Sequence, residues 1–244
     1  VTLQIRPDVR GVRAVLLDAP ERHNALSAPL VAALTTALTE AGADPAVRAV
    51  VLGHTGTTFS AGADLKEPPE PAAILTLLHT VVALPKPVVA AVTGHVRAGG
   101  LGLLGACDLG FAGPAADFAF TEARLGLAPA VISLPLAARL SPTAARRYFL
   151  TGERFGAVEA ARIGLVTEAV EDVDAALAPV LDALRACSPQ GLAESKRLAT
   201  ATVLADFAAR GEDMLALSAG LFASAEAREG MTAFLERRDP SWAR

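Results

Sequence analysis

Apolar positions in the first half of the chain fall into short runs of strand length and one clear helical stripe. Val12-Arg13-Ala14-Val15-Leu16-Leu17, Ala49-Val50-Val51-Leu52-Gly53, Val88-Val89-Ala90-Ala91-Val92 and Leu109-Gly110-Phe111-Ala112 each read as a buried strand. Val1 to Arg6 alternates apolar and polar residues and reads as a further strand. After the first of the buried strands, Leu30, Leu34 and Leu38 recur at helical spacing. Ser27 stands where a hydroxyl can accept the first free amides of that helix, and Pro29 lies in its first turn. Strand, helix, strand in repetition predicts an α/β layered core.

Beyond residue 134 the period becomes helical. Ser141-Pro142 opens a segment ending near Gly152, and Ala157 to Ile163 forms another, closed by Gly164. Asp174 to Cys187 and Leu192 to Glu212 are longer helical patterns. In the last, Ser224 to Arg237, Ala227, Met231, Phe234 and Leu235 share a spacing that makes Met231 and Phe234 core residues. No Gly/Ser linker separates the two textures. The expected organisation is an α/β core over residues 1–185 with a helical region over 186–244.

Composition narrows the function. With 52% hydrophobic and 20% charged residues in 244, the chain has ample material for a core, which excludes disorder over most of its length. A net charge of −4 lacks the basic footprint of a nucleic-acid binder. No apolar run approaches the ~20 residues that span a bilayer, so no membrane partner is expected. The opening residues form a strand pattern and not a signal peptide. Cys107 and Cys187 lack the paired spacing of a disulfide or zinc site, and the four histidines show no ligand spacing. A reducing, cytoplasmic setting without a metal is the economical expectation.

The chemistry concentrates between Thr93 and Asp108. Gly99, Gly100, Gly102 and Gly105 follow a strand, remove side chains where a backbone could meet a ligand, and begin a helix. Free amides at a helix start hold negative oxygen well. Gly100, Gly102 and Gly105 also have the spacing of a dinucleotide fingerprint, but the context fails: Thr93 to Ala98 intervene between strand and glycines, and the helix has barely two turns. A second amide-presenting segment, Thr58 to Lys66, follows the strand ending at Gly53. Loops at the carboxyl ends of parallel strands can each bring one N–H to a common oxygen.

Several blocks carry a family resemblance. They are Pro20-Glu21-Arg22-His23-Asn24-Ala25-Leu26, Phe59-Ser60-Ala61-Gly62-Ala63-Asp64-Leu65, and Pro85 to Gly94 running into the glycines. Phe120-Thr121-Glu122-Ala123-Arg124-Leu125-Gly126-Leu127, Leu150-Thr151-Gly152, Ala160 to Val166 and Gly230 to Arg238 follow in order. Together they resemble the crotonase superfamily of enoyl-CoA hydratases and isomerases. The resemblance implies a crotonase-like ββα superhelix core and a C-terminal helical trimerisation region, with a homotrimer or a dimer of trimers. It implies an acyl-CoA thioester as substrate and no further cofactor. The N–H groups of Ala63 and Gly99 would form an oxyanion hole, each donor worth ~3 kcal/mol of barrier. Glu122 would carry the proton, its carboxyl raised toward working pH by burial. Ala61, Asp64, Lys66 and Arg237 fall where relatives contact coenzyme A, Arg237 from a neighbouring subunit.

The departures matter as much. Gly102 stands where two-glutamate hydratases carry their other carboxylate, and Ala130 where dienoyl isomerases place an aspartate. Leu127 to Ser133 replaces a commoner glycine-rich loop and is similar to members handling branched or terpenoid acyl groups. Glu67 to Leu84 is shorter than usual. Three readings stay open: hydration with Glu122 as sole acid–base, Δ3-Δ2 isomerisation with the same group, and a non-catalytic acyl-CoA-binding scaffold.

Overall fold

The expected strands line up side by side in the computed structural model, which describes residues 3–243. The first half comprises β1 (Leu3–Ile5), β2 (Val12–Leu17), α1 (Ala28–Ala43), β3 (Ala49–His54), β4 (Thr58–Ser60), α2 (Pro71–Ala83), β5 (Val88–Val92), β6 (His95–Arg97), α3 (Gly99–Ala106), β7 (Leu109–Ala112) and β8 (Asp117–Ala119). The second half comprises α4 (Ser133–Ala137), α5 (Pro142–Thr151), β9 (Phe155–Gly156), α6 (Ala157–Arg162), β10 (Glu168–Ala169), α7 (Val173–Ala186), α8 (Pro189–Ala199), α9 (Ala201–Phe222) and α10 (Ala225–Glu236).

Two sheets result. The larger has the order β1-β2-β3-β5-β7-β10, parallel except for β1. The smaller has the order β4-β6-β8-β9, with β4, β6 and β8 parallel. Three successive passes, β3–β4, β5–β6 and β7–β8, each give one strand to the large sheet and then a three-residue strand to the small one. That is the ββα repeat of the expected fold. The helices cover apolar strands: α1 buries Leu30, Leu34 and Leu38, and its Ser27 Oγ accepts the Leu30 amide at 3.4 Å.

Two expectations in the helical tail need correction. The pattern from Leu192 to Glu212 is not one helix but parts of α8 and α9, which part at Thr200. At the junction both the Thr200 hydroxyl and its amide donate to the Lys196 carbonyl, and a hydroxyl bond of this kind bends a helix. Tertiary contacts then divide the two. Lys196 is buried and donates to the carbonyls of Val81 (2.8 Å) and Lys86 (3.1 Å) and to Asp108 (2.7 Å), which ties α8 to the large sheet. The helix α9 instead packs across α2 and α4.

The second correction concerns α10. Phe234 is 62% exposed and Leu235 65%, and the buried face is Ala227, Gly230 and Ala233. A Cβ at Gly230 would lie 2.5 Å from the Leu125 backbone. Small residues were selected there because helix and turn touch backbone to backbone, so the larger side chains point outward. Among the described residues, no helix is long and apolar enough to cross a membrane.

Candidate active site

Because β4, β6 and β8 are parallel neighbours, their carboxyl ends lie along one edge. The chain leaves that edge as Ala61-Gly62-Ala63, as Ala98-Gly99, and as Phe120-Thr121-Glu122. Ligands are expected at the carboxyl edge of parallel strands. The sequence placed the first loop directly after the strand ending at Gly53, but β4 intervenes, so these segments rise from the small sheet.

The turn at Ala63 is held on both sides. Gly62 donates its N–H to Ser60 Oγ at 3.2 Å, and its carbonyl accepts the Leu26 amide at 2.7 Å. Asp64 donates its N–H to the Leu26 carbonyl at 3.1 Å. Gly62 adopts φ +90°, open to glycine and strained for other residues. Across from it Ala98 has φ 44° and ψ −117°, an unusual backbone for a residue with a Cβ, and Gly99 then begins α3. A Cβ at Gly99 would sit 3.5 Å from the Ala63 nitrogen, so the two amides are neighbours. Among the described residues, neither the Ala63 nor the Gly99 N–H donates to a protein acceptor. Two adjacent, unspent N–H groups, that of Gly99 at a helix start and that of Ala63 in a turn, can hold one negative oxygen.

Glu122 opens a 3-10 turn, Glu122–Leu125, that Gly126 closes at φ +73°. The side chain is buried, and its Oε2 has no hydrogen-bond partner. Burial pushes its pKa up to about 7, against a small opposing pull from its own backbone amide. No charged neighbour enters that balance. A carboxyl poised there takes and returns protons near neutral pH.

Gly102 lies one turn into α3, and its vacant side faces Ile132. A Cβ at that position would fall 2.5 Å from Ile132 Cγ2. The loop after Glu122 has therefore filled the space a side chain at 102 would need.

The remaining expected residues divide by what their side chains do. Asp64 is buried, and Oδ1 accepts the amides of Lys66 (2.8 Å) and Glu67 (3.1 Å) while Oδ2 pairs with Arg22. Burial opposes its ionisation, but those two amides and Arg22 prevail and hold the carboxyl below its ordinary range. The carboxylate is committed to the turn. Ala61 is exposed and donates its N–H to the His23 carbonyl at 3.0 Å. Lys66 is exposed, and among the described residues its ammonium has no partner. Arg237 ends α10 in a left-handed conformation, exposed, with no side-chain partner among the described residues.

Sequence reasoning gave no role to Asn24, which is fully buried at φ 49°. Its Oδ1 accepts the Ala19 amide at 2.7 Å, and Nδ2 donates to the carbonyls of Thr55 (3.0 Å) and Thr58 (2.6 Å). It joins the Pro20–Arg22 turn, which carries Arg22, to the entry of β4. The one available signal was a polar amide inside a turn block, where Asn tolerates left-handed backbone.

Comparison with known proteins bears on the chemistry. A family model described as enoyl-CoA hydratase/isomerase matches residues 8–244. The chain is 48% identical to an enoyl-CoA hydratase of Mycobacterium avium whose crystal structure superposes with a TM-score of 0.94, covering 99% of each chain. An enoyl-CoA hydratase/isomerase from Pseudoalteromonas atlantica is 30% identical with a TM-score of 0.90, covering 100% of both. Among curated proteins, the cyclohexa-1,5-dienecarbonyl-CoA hydratase of Thauera aromatica is 34% identical over 91% of this chain and 89% of its own length.

Proposed function

Since the chain belongs to the enoyl-CoA hydratase/isomerase family, and so processes acyl-CoA thioesters, we propose that it adds water reversibly across a 2-enoyl-CoA with Glu122 as its only side-chain acid–base. The observation that carries this reading is the buried Glu122 carboxyl, its Oε2 without a partner, on the same strand edge as the two free amides of Ala63 and Gly99.

The thioester oxygen accepts both N–H groups, which polarises the conjugated double bond. Glu122 as carboxylate takes a proton from water while the water oxygen bonds to Cβ. The π electrons move onto the thioester oxygen, giving an enolate stabilised where the donors point. The enolate carbon Cα then takes the proton back from Glu122, restoring the carboxylate. One base on one face implies syn addition. Lys66, at the mouth of the Ala63 turn, is free to meet a coenzyme A phosphate. In this reading Ala61 and Asp64 shape the turn, and Arg237 supplies a second cation from a neighbouring subunit of a homotrimer.

One observation favours a second reading. The contact between Gly102 and Ile132 lines that side with hydrocarbon and offers no group to hold a water. A Δ3-Δ2 isomerase needs none: Glu122 removes a proton from Cα, the dienolate forms on the same donors, and Glu122 returns the proton to Cγ.

Panels of 2-enoyl- and 3-enoyl-CoA, assayed side by side for hydration and double-bond migration, separate the two. In either case Glu122→Gln should lose at least ~100-fold in kcat, as removal of a general acid–base does. An unchanged rate overturns the assignment of Glu122.

A further inference from the structure

Both oxyanion segments depend on strands too short to set their own alignment. The strands β4 and β6 have three residues each, and their pairing, Thr58 with His95 and Ser60 with Val96, already contains an irregularity. The buried Phe59 and Val96 set which face of each strand points inward, but so short a ladder offers few hydrogen bonds to fix the spacing of the two strands. Contacts at the strand entries add to that alignment.

The two crossovers that feed these strands run side by side. Thr55 to Thr57 leads from β3 to β4, and Thr93-Gly94 leads from β5 to β6. They are in close contact: His95 donates its N–H to the Thr57 carbonyl at 3.0 Å, and a Cβ at Gly94 would lie 2.2 Å from that oxygen. His54 joins them. Its Nε2 lies 3.1 Å from the Thr93 nitrogen, whose N–H donates to it, and 3.0 Å from Thr93 Oγ1. Its Nδ1 lies 3.3 Å from the Thr55 carbonyl. A backbone amide can only donate and a carbonyl can only accept. The ring is therefore neutral, with the proton on Nδ1. The Phe59 ring packs against the imidazole, with centroids 5.7 Å apart and planes at 80°. Burial, which lowers the imidazole pKa against the Thr55 carbonyl, favours the same neutral form.

We propose that His54 is a positioning residue that locks β4 against β6 at their entry and thereby sets the spacing of the Ala63 and Gly99 amides at their exit. The proposal rests on the assigned use of those amides. The expected cost of losing the lock falls on kcat, because a misplacement of about 1 Å in catalytic geometry can cost ~100-fold.

Imidazole nitrogen–proton correlation spectra at pH 7.5 test the lock without reference to turnover. The Nδ1-protonated ring is expected, and an Nε2-protonated ring overturns the proposal because it cannot accept from Thr93. His54→Phe keeps the ring against Phe59 but offers no acceptor, whereas His54→Gln restores one. The Ala63 and Gly99 amide resonances should move in the Phe variant and return in the Gln variant. With an enoyl-CoA that is turned over, kcat should fall at least about tenfold in Phe and stay within about threefold of the parent in Gln, with KM little changed in both. Unmoved amides, an unchanged kcat in Phe, or a Gln variant as damaged as Phe overturns the idea. Absence of turnover by the parent on every enoyl-CoA would refute the proposed activity, while the spectra would still decide the lock.

Discussion

Replacing Glu122 by Gln should shift the balance toward the folded state, relative to the parent, increasingly as pH rises. Burial raises the folded carboxyl from its ordinary 4.5 to about 7. A group whose folded pKa is raised contributes its full stability below the unfolded value, and that contribution is lost as pH climbs through the folded one. Ionising this carboxyl at pH 8 therefore costs the folded state about 3 kcal/mol, at 1.36 kcal/mol per pH unit. At pH 5, where the buried group is still protonated, the cost is only about 1 kcal/mol. Gln cannot ionise. It does bury an amide without a partner, but that penalty is the same at both pH values and cancels in the comparison. The advantage of Glu122→Gln over the parent should thus grow by about 2–3 kcal/mol between pH 5 and pH 8. For a chain of this length that is a widening of about 5–10 °C in the difference between the two melting temperatures. Calorimetry of parent and variant at the two pH values reads it directly. A melting difference that does not change with pH would refute the raised pKa, and with it the argument that burial tunes Glu122 for proton transfer.

Two further perturbations test packing, one beside the site and one where α8 docks. Gly102→Glu should not install a working second carboxylate, because its Cβ would meet Ile132 Cγ2 at 2.5 Å. It should destabilise by about 1–3 kcal/mol as an overpacked core does, and Ile132→Ala in the same chain should recover most of that loss in a urea titration. Lys196→Ala leaves Asp108 and two carbonyls without their cation in the interior. A loss of about 3–5 kcal/mol in unfolding free energy is expected, and a loss under about 1 kcal/mol would show that the pair contributes little to docking α8.

Much of the fold was legible because strand and helix periods are local properties. The runs at Val12, Ala49, Val88 and Leu109 became four of the five parallel strands of the large sheet, and Ser27 caps the helix whose Leu30, Leu34 and Leu38 face the core. The small sheet was not legible. Its strands have three residues or fewer, with no period to detect, and they exist because neighbouring crossovers pair. The tail misled for a related reason. Spacing finds a stripe on α10 but does not say which stripe is covered, and the close approach at Gly230 selected the small residues over Phe234.

The site divides along the same line. Residue type and local order marked the glycines from Gly99 to Gly105 and the segment Thr58 to Lys66 as amide-presenting, and the family resemblance then named Ala63, Gly99 and Glu122 as candidates and Gly102 as a position without a carboxylate. Four properties required the tertiary structure: the adjacency of the two free amides, the burial that lifts Glu122, the side chain of Ile132 in the space beside Gly102, and the commitment of Asp64 to its own turn. Each depends on segments distant in sequence meeting at the edge of a sheet. Amide direction, dielectric surroundings and occupied volume arise only from that meeting. A sequence specifies which chemical groups are present, and packing decides which of them remain unspent.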